Sequence, residues 1–458
     1  MNTTIPIPVR QFIESHHIAF KERPFPKFER PTTVEVVVLE DAQGKLQVFF
    51  PSDCLLDLEK VRNSLGRDMT AMSTDKLREL AQKSGLDTLP ALDGLLKMDT
   101  VIDQRLQEMN QVNLHSGNRE YLITLDSTDA IKQQENTQVV DVCERIPFND
   151  TDYELSLFDH DREEIYQAVT NFTALRIKQR LEETLEIPPL PETAQAIIRL
   201  RIDPNADINK LAKIVEKDPS LAAQVVSWAS SSYYAAPGTV KSVQDAIIRV
   251  LGYDLVMNLA LGLALGKTLD LPEDGPEGVT PYWSQSVYTA ATIGALLNLI
   301  PREFRPGFGL AYLSGLLHNF GYLVLAHAFP PHFKQVARYI EANPHLANHH
   351  VEKHLLGITR EQIGANLMKS WNMPDEVCIA LRYLHEPQYM GPHSDYSQLA
   401  YLALRLLWQN NLVQGPITHI DDSVFQTLHI NPDDIPEAMT SVIESKAELD
   451  AIAKGMLS

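Results

Sequence analysis

The sequence predicts a multidomain protein, with an α+β N-terminal third followed by an all-α remainder, and three observations carry that expectation. Over residues 1–130, short β-branched runs alternate with turn residues and brief helical patterns. Beyond Pro191, segment after segment carries a helix-start residue and a 3.6-residue apolar spacing. The 458 residues are too many for one ordinary core; at roughly 100–200 residues per domain, two or three are expected.

The elements follow in order. Val34–Leu39 is a β-branched run, Asp41–Gly44 a turn and Lys45–Phe50 a returning strand, so together they predict a hairpin ended by Pro51. Leu58, Val61 and Leu65 give helical spacing over Asp57–Leu65, with Gly66 as the stop. A second short helix spans Thr74–Ser84, closed by Gly85, and Val112–Leu114 with Tyr121–Leu125 predict a second hairpin. Residues 132–157 turn polar and mark a domain connection, although Val139–Cys143 has the composition of a strand. Asp159 can cap a long helix through Leu185, which Pro188, Pro189 and Pro191 break. Asp207, Asp218-Pro219, Ser242 and the capping-box pair Thr359/Gln362 then open helices, and Gly252, Gly321 and Gly357 are expected at helix ends. Leu255–Gly266 is apolar but about half the ~20 residues of a membrane span, and Asn258 interrupts it, so it reads as a buried helix. The boundaries so drawn are an α+β domain at 1–130, a linker and connecting helix at 131–186, a helical domain at 187–410 and a helical C-terminal extension at 411–458.

Composition narrows the function. Acidic residues outnumber basic ones 60 to 40, for a net charge of −20. That balance opposes broad binding to DNA or RNA, which relies on cations displacing phosphate counterions. Met1–Arg10 lacks the basic-then-apolar pattern of an export leader, and no membrane association is expected. Cys54, Cys143 and Cys378 lie far apart in sequence with no CxxC pair, which fits a reducing cytoplasm and opposes a disulfide scaffold or cysteine zinc site. The histidines 345, 349, 350 and 354 lack an HExxH arrangement and read as a solvated helix face, and Trp228, Trp283, Trp371 and Trp408 as packing residues.

Five ordered blocks carry a resemblance: Ile187–Leu200, Ile214–Tyr234, Lys241–Leu261, Ser314–His327 and Arg360–Pro387. Together they resemble an HDOD domain, the all-helical signalling relative of HD-type phosphohydrolases. The resemblance implies that an HD enzyme would hold divalent cations through an adjacent His-Asp pair and further His and Asp residues, lowering the pKa of bound water. Here the pair reads His318-Asn319, with Gln285 and Arg360 where histidines are implied. His385 follows Leu384 where a His-His pair is implied, and Leu404 takes the last aspartate's place. Asn is a poor ligand beside Asp, and a cation at 360 repels metal. Gln285, His318, Asn319, Arg360 and His385 are therefore vestigial positions, with no catalytic residue, metal or cofactor expected. His318 reads as a hydrogen-bonded core histidine, Asn319 as a helix-end group, and His385 as a histidine near a helix C-terminus.

Val36–Gly66, Met72–Leu86 and Val101–Asp126 resemble the YbaK-type editing domain associated with prolyl-tRNA synthetases, which hydrolyses mischarged aminoacyl-tRNA. The resemblance implies a substrate-positioning lysine at the start of the first central strand, where this chain has Val34 or Glu35; the nearest lysines are Lys27 and Lys45. Pro51, Gly85, Pro90, Gly117 and Asn118 remain as scaffold, with Pro90, Gly117 and Asn118 at the rim of any pocket. The expected function is a non-catalytic, cytoplasmic signal-transduction protein that meets a protein partner through its HDOD helices, with the editing-like domain as sensor or interaction module. The alternatives are aminoacyl-tRNA deacylation by the N-terminal domain and residual metal-dependent HD phosphohydrolysis. A tRNA or a small amino-acid-like ligand is a less favoured partner.

Overall fold

The computed structural model describes residues 5–25, 32–118, 120–127, 136–146, 158–172, 187–234, 238–416, 418 and 420–456. The N-terminal region is a mixed sheet in the order β1-β8-β7-β2-β3-β6-β9, with β5 pairing on β2. Its strands are β1 (Phe20–Pro24), β2 (Thr33–Asp41), β3 (Gly44–Pro51), β5 (Thr70–Ala71), β6 (Asp99–Asp103), β7 (Gln111–His115), β8 (Tyr121–Asp126) and β9 (Thr137–Val140). The pairs β2–β3, β1–β8 and β7–β8 run antiparallel, whereas β2–β7, β3–β6 and β6–β9 run parallel. A second, two-stranded sheet joins β4 (Cys54–Leu56) to β10 (Cys143–Arg145).

Both expected hairpins form. So do α2 (Leu58–Leu65) and α3 (Thr74–Lys83), which follow α1 (Ile7–Ser15). Asp57 caps α2 by accepting from the Glu59 and Lys60 amides, and Gly66 ends it at φ +66°, a conformation that glycine adopts without strain. The polar stretch expected to be a linker contains β9 and β10, so the strand content continues past residue 130. Val139-Val140 pair with β6 and Cys143 with β4, in keeping with the strand composition of Val139–Cys143. Of the long connecting helix, α4 (Phe158–Phe172) is described; the remainder to Leu185 lies outside the described residues.

The helical part comprises α5 (Glu192–Arg201), α6 (Ile208–Glu216), α7 (Pro219–Ala229), α8 (Val243–Ala246), α9 (Tyr253–Gly266), α10 (Tyr282–Leu299) and α11 (Phe308–Leu317). It continues through α12 (Phe320–Ala328), α13 (Pro330–Ala342), α14 (Asn348–Leu356), α15 (Arg360–Ser370), α16 (Asp375–Arg382) and α17 (Ser394–Gln409). The C-terminal segment adds α18 (Asp422–Thr427), α19 (Ile435–Glu444) and α20 (Lys446–Gly455). Asp207, Asp218 and Ser242 occupy the N-caps expected of them, and the Thr359/Gln362 capping box is complete. The run Phe308–Ala328 is long and apolar enough to cross a membrane, but it is broken between α11 and α12 and most of it is buried inside the protein.

Alternation along β3 ties the two parts together. Phe49 points into a cluster with α1 residues Val9 and Ile13, whereas Val48 and Phe50 face the opposite way and join the helical core. Polar groups fix the contact. The Asn343 side chain accepts from the Leu56 amide at 2.7 Å and donates to the Leu56 carbonyl at 3.1 Å, in the manner of an added strand. Tyr339 donates to Asp57 at 2.8 Å, and His345 Nε2 lies 2.9 Å from the Cys54 carbonyl. Asn343→Ala leaves two buried backbone groups of Leu56 unpaired, so urea denaturation is expected to show a loss of about 2–3 kcal/mol. Arg62→Ala, which removes an exposed ion pair with Glu59, is expected to change stability by less than ~0.5 kcal/mol.

Candidate functional site

The site is set by a close crossing of two helices. A Cβ at Gly321 would run into the backbone carbonyl of Arg360, and one at Gly364 would lie 2.9 Å from the Gly321 Cα. Gly321 is thus the second residue of α12 and a contact glycine, not the helix end expected from sequence; a tertiary neighbour rather than a turn accounts for it. The crossing places Asn319, the N-cap of α12, beside Arg360, the first residue of α15.

A continuous network results. Arg360 Nη1 donates to Asn319 Oδ1 at 2.9 Å, Asn319 Nδ2 to Gln285 Oε1 at 3.3 Å, and Gln285 Nε2 to the Thr280 carbonyl at 2.6 Å. Behind Arg360, the fully buried Glu352 accepts from Nε at 2.6 Å and from the Arg360 backbone amide at 2.9 Å, and it also pairs with Nη2. The Tyr322 ring centroid lies 5.1 Å from the guanidinium carbon. One residue on, Glu361 meets His385 Nε2 at 3.3 Å, and His385 Nδ1 lies 3.0 Å from Arg405 Nη1. Arginine can only donate, so Nδ1 accepts and the Nε2 proton points to Glu361, which makes His385 the connector between them. Burial opposes ionisation of Glu361, but the hydrogen bond from His385 and the Arg360 charge outweigh it and lower its pKa. His318 places Nδ1 2.8 Å from the Gly315 carbonyl, and burial pushes its imidazole down to about 4.

The structure therefore joins Gln285, Asn319 and Arg360 directly, with His318 adjacent in the chain and His385 reached through Glu361. Leu384 and Leu404 are buried apolar residues. Sequence reasoning missed Glu352, Glu361, His349 and Arg405. The histidine cluster, expected on a solvated face, is corrected: His345, His349 and His350 are buried and His354 is half-buried. His349 stacks on His385 at 4.2 Å, and His354 lies between Asp57 and Glu144. The cause is that α14 is enclosed on several sides by neighbours distant in sequence, which its mixed composition does not disclose. A divalent cation does not fit these residues: a permanently charged guanidinium holds both Asn319 and Glu352, and among the described residues no group of three or more His, Cys, Asp or Glu is arranged to bind a metal.

In the N-terminal region, Val34 packs in the core, and Glu35 is the polar residue next to it near the start of β2. Its carboxylate accepts from Thr33 Oγ1 at 2.8 Å and lies 3.8 Å from His115 Nε2. Burial raises its pKa, but His115 outweighs this and keeps it well below the usual carboxylate range. Lys45 is exposed and 3.7 Å from Glu40, and Lys27 lies outside the described residues. Gly117, at φ +88°, accepts from the Asp87 and Thr88 amides and packs against Leu86 and Val9. Asn118 accepts from the Glu120 amide, and the Pro90 carbonyl accepts from the Leu92 amide, so these three residues brace loops. Between the two regions lies a cleft of about 460 Å³, walled by Met72, Ser73 and Leu77 on one side and floored by Gln285, Asn319 and Arg360 on the other.

Residues 187–387 match the HDOD domain, and residues 25–132 match the aminoacyl-tRNA editing domain. This chain belongs to the HDOD-domain proteins that carry an editing-type domain. The crystal structure of a candidate signal transduction protein from Marinobacter aquaeolei VT8 is 43% identical, with a TM-score of 0.90 over 99% of this chain and 100% of that one. An HDOD domain protein of unknown function from Geobacter sulfurreducens shares the helical fold at 21% identity, with a TM-score of 0.51 over 63% of this chain and 99% of that one. An uncharacterized protein of Treponema pallidum (strain Nichols) is 23% identical over 245 residues, 53% of this chain and 46% of that protein. The HDOD chain described here thus spans about half the length of that curated relative.

Arg360→Met strands the buried Glu352 carboxylate, and a loss of roughly 3–5 kcal/mol is expected in chemical denaturation, with Glu352→Met/Arg360→Met recovering most of it. His318 gives a pH test. Its folded pKa of about 4 lies below the ordinary histidine value of 6.5, so the unfolded chain binds more protons between these values and stability falls as the pH is lowered through them. Urea denaturation is expected to show roughly 2 kcal/mol more loss between pH 7 and pH 5 in the wild type than in His318→Gln.

Proposed function

We propose that this HDOD protein is a non-catalytic regulator in cytoplasmic signal transduction. Its HDOD helices meet a protein partner, and its editing-type domain serves as the sensor or interaction module. The observation that carries this reading is the Arg360 guanidinium, hydrogen-bonded to Asn319 and paired with Glu352 at the centre of the vestigial positions. Activation of water there would need a group able to accept a proton or a cation able to lower its pKa. Arg360 offers no acceptor, Asn319 is neutral, His385 is tied between Glu361 and Arg405, and burial leaves His318 a weak base. In the editing-type domain Glu35 supports the same reading, because an anion repels the phosphates and developing oxyanion of an aminoacyl ester. The Marinobacter protein, alike along its whole length, carries a signal-transduction name.

Purified protein supplied with Mn²⁺, Mg²⁺ or Fe²⁺ is expected to leave bis-p-nitrophenyl phosphate and cyclic dinucleotides intact. It is also expected to leave Ala- and Cys-charged tRNA at the rate of spontaneous hydrolysis. Phosphodiester turnover abolished by His318→Ala, or deacylation abolished by Lys27→Ala or Lys45→Ala, would contradict the proposal.

A further inference from the structure

The cleft between the two regions has an ordered charge distribution. At its floor Arg360 is 6% exposed, and its contacts with Glu352 and Asn319 engage each guanidinium nitrogen once. A guanidinium carries five N–H groups, so donors remain on a buried side chain that lines the cavity. Gln285 and Asn319 beside it are held by the chain of hydrogen bonds ending at Thr280, and Tyr282 and Tyr322 contribute an aromatic wall. The outer wall has the opposite character. Glu273, Glu277 and Glu341 line it, and among the described residues Arg360 is the one lysine or arginine lining the cleft. Glu341 uses one oxygen to accept from the Glu277 amide at 2.7 Å, and burial pushes its carboxyl up even with the Arg338 charge nearby, a condition an ammonium group in the cleft would relieve further. The volume of about 460 Å³ lies in the range of small-molecule sites.

We propose that this cleft binds a small organic zwitterion, an amine that also carries a carboxylate, with the carboxylate toward Arg360 and the ammonium toward Glu341. An acid alone would meet the three rim carboxylates, and an amine alone would meet the guanidinium. A molecule carrying both charges satisfies both ends. Because Met72, Ser73 and Leu77 come from the editing-type domain, the ligand touches both domains at once. The proposal deepens the regulator reading and rests on it, by giving the regulator an input.

The test uses the full chain with the common free amino acids as probes, and with succinate and 1,4-diaminobutane as single-function controls, by thermal shift and calorimetry. At least one amino acid is expected to bind and raise Tm, with both controls weaker. Glu341→Gln, which keeps the acceptor for the Glu277 amide, is expected to weaken that binding about tenfold or more. No binding by any amino acid, equal binding by Glu341→Gln, or a control that binds as tightly would overturn the proposal. Absence of binding in a protein that is also inert toward phosphodiesters and charged tRNA removes the cleft ligand alone. Turnover of either substrate removes the regulator reading instead.

Discussion

The buried guanidinium of Arg360 constrains everything around it. Taking an ion out of water costs several kcal/mol unless geometry and hydrogen bonds offset it, so the surroundings must supply a counter-ion and acceptors. Glu352 supplies the charge, Asn319 the second acceptor and the Tyr322 ring a face for the cation. Counting Arg360 itself, on α15, the groups come from three helices. They converge because Gly321 and Gly364 allow α12 and α15 to approach to backbone contact. A side chain at either glycine would push apart the residues that the arginine holds.

The same helix that carries Glu352 also links the site to the editing-type domain. Asn343 and His345, just before α14, bond to Leu56 and Cys54, while His349 and Glu352 within it reach His385 and Arg360. One short segment therefore has its leading end on a strand edge and its body against the buried ion pair. The sheet adds to this, since the face bearing Val48 and Phe50 belongs to the helical core. The two domains share apolar packing and polar contacts, and the cleft opens along the same boundary.

Local signals in the sequence were enough for the caps and hairpins. Asp57, Asp207, Asp218, Ser242 and the Thr359/Gln362 box act on backbone within a few residues, and their roles can be read from neighbours in the chain. The grouping of Gln285, His318, Asn319, Arg360 and His385 came from family resemblance, because those motifs occur in a fixed order, and the structure links Gln285, Asn319 and Arg360 directly. What was not legible depends on packing. Glu352 is an ordinary helix residue until Arg360 is placed against it. The histidines at 345, 349 and 354 look solvated until Cys54, His385 and the Asp57/Glu144 pair are placed against them in turn. Gly321 looks like a helix stop until its partner helix is known.

Anomalous diffraction from crystals of the full chain soaked in Mn²⁺ tests the central claim most directly, that an arginine network stands where HD enzymes hold metal. The account predicts the Arg360–Glu352 pair intact and no anomalous peak within bonding distance of His318, Asn319 or His385. A peak shared by these side chains, with the Arg360 guanidinium displaced from Asn319, would contradict it.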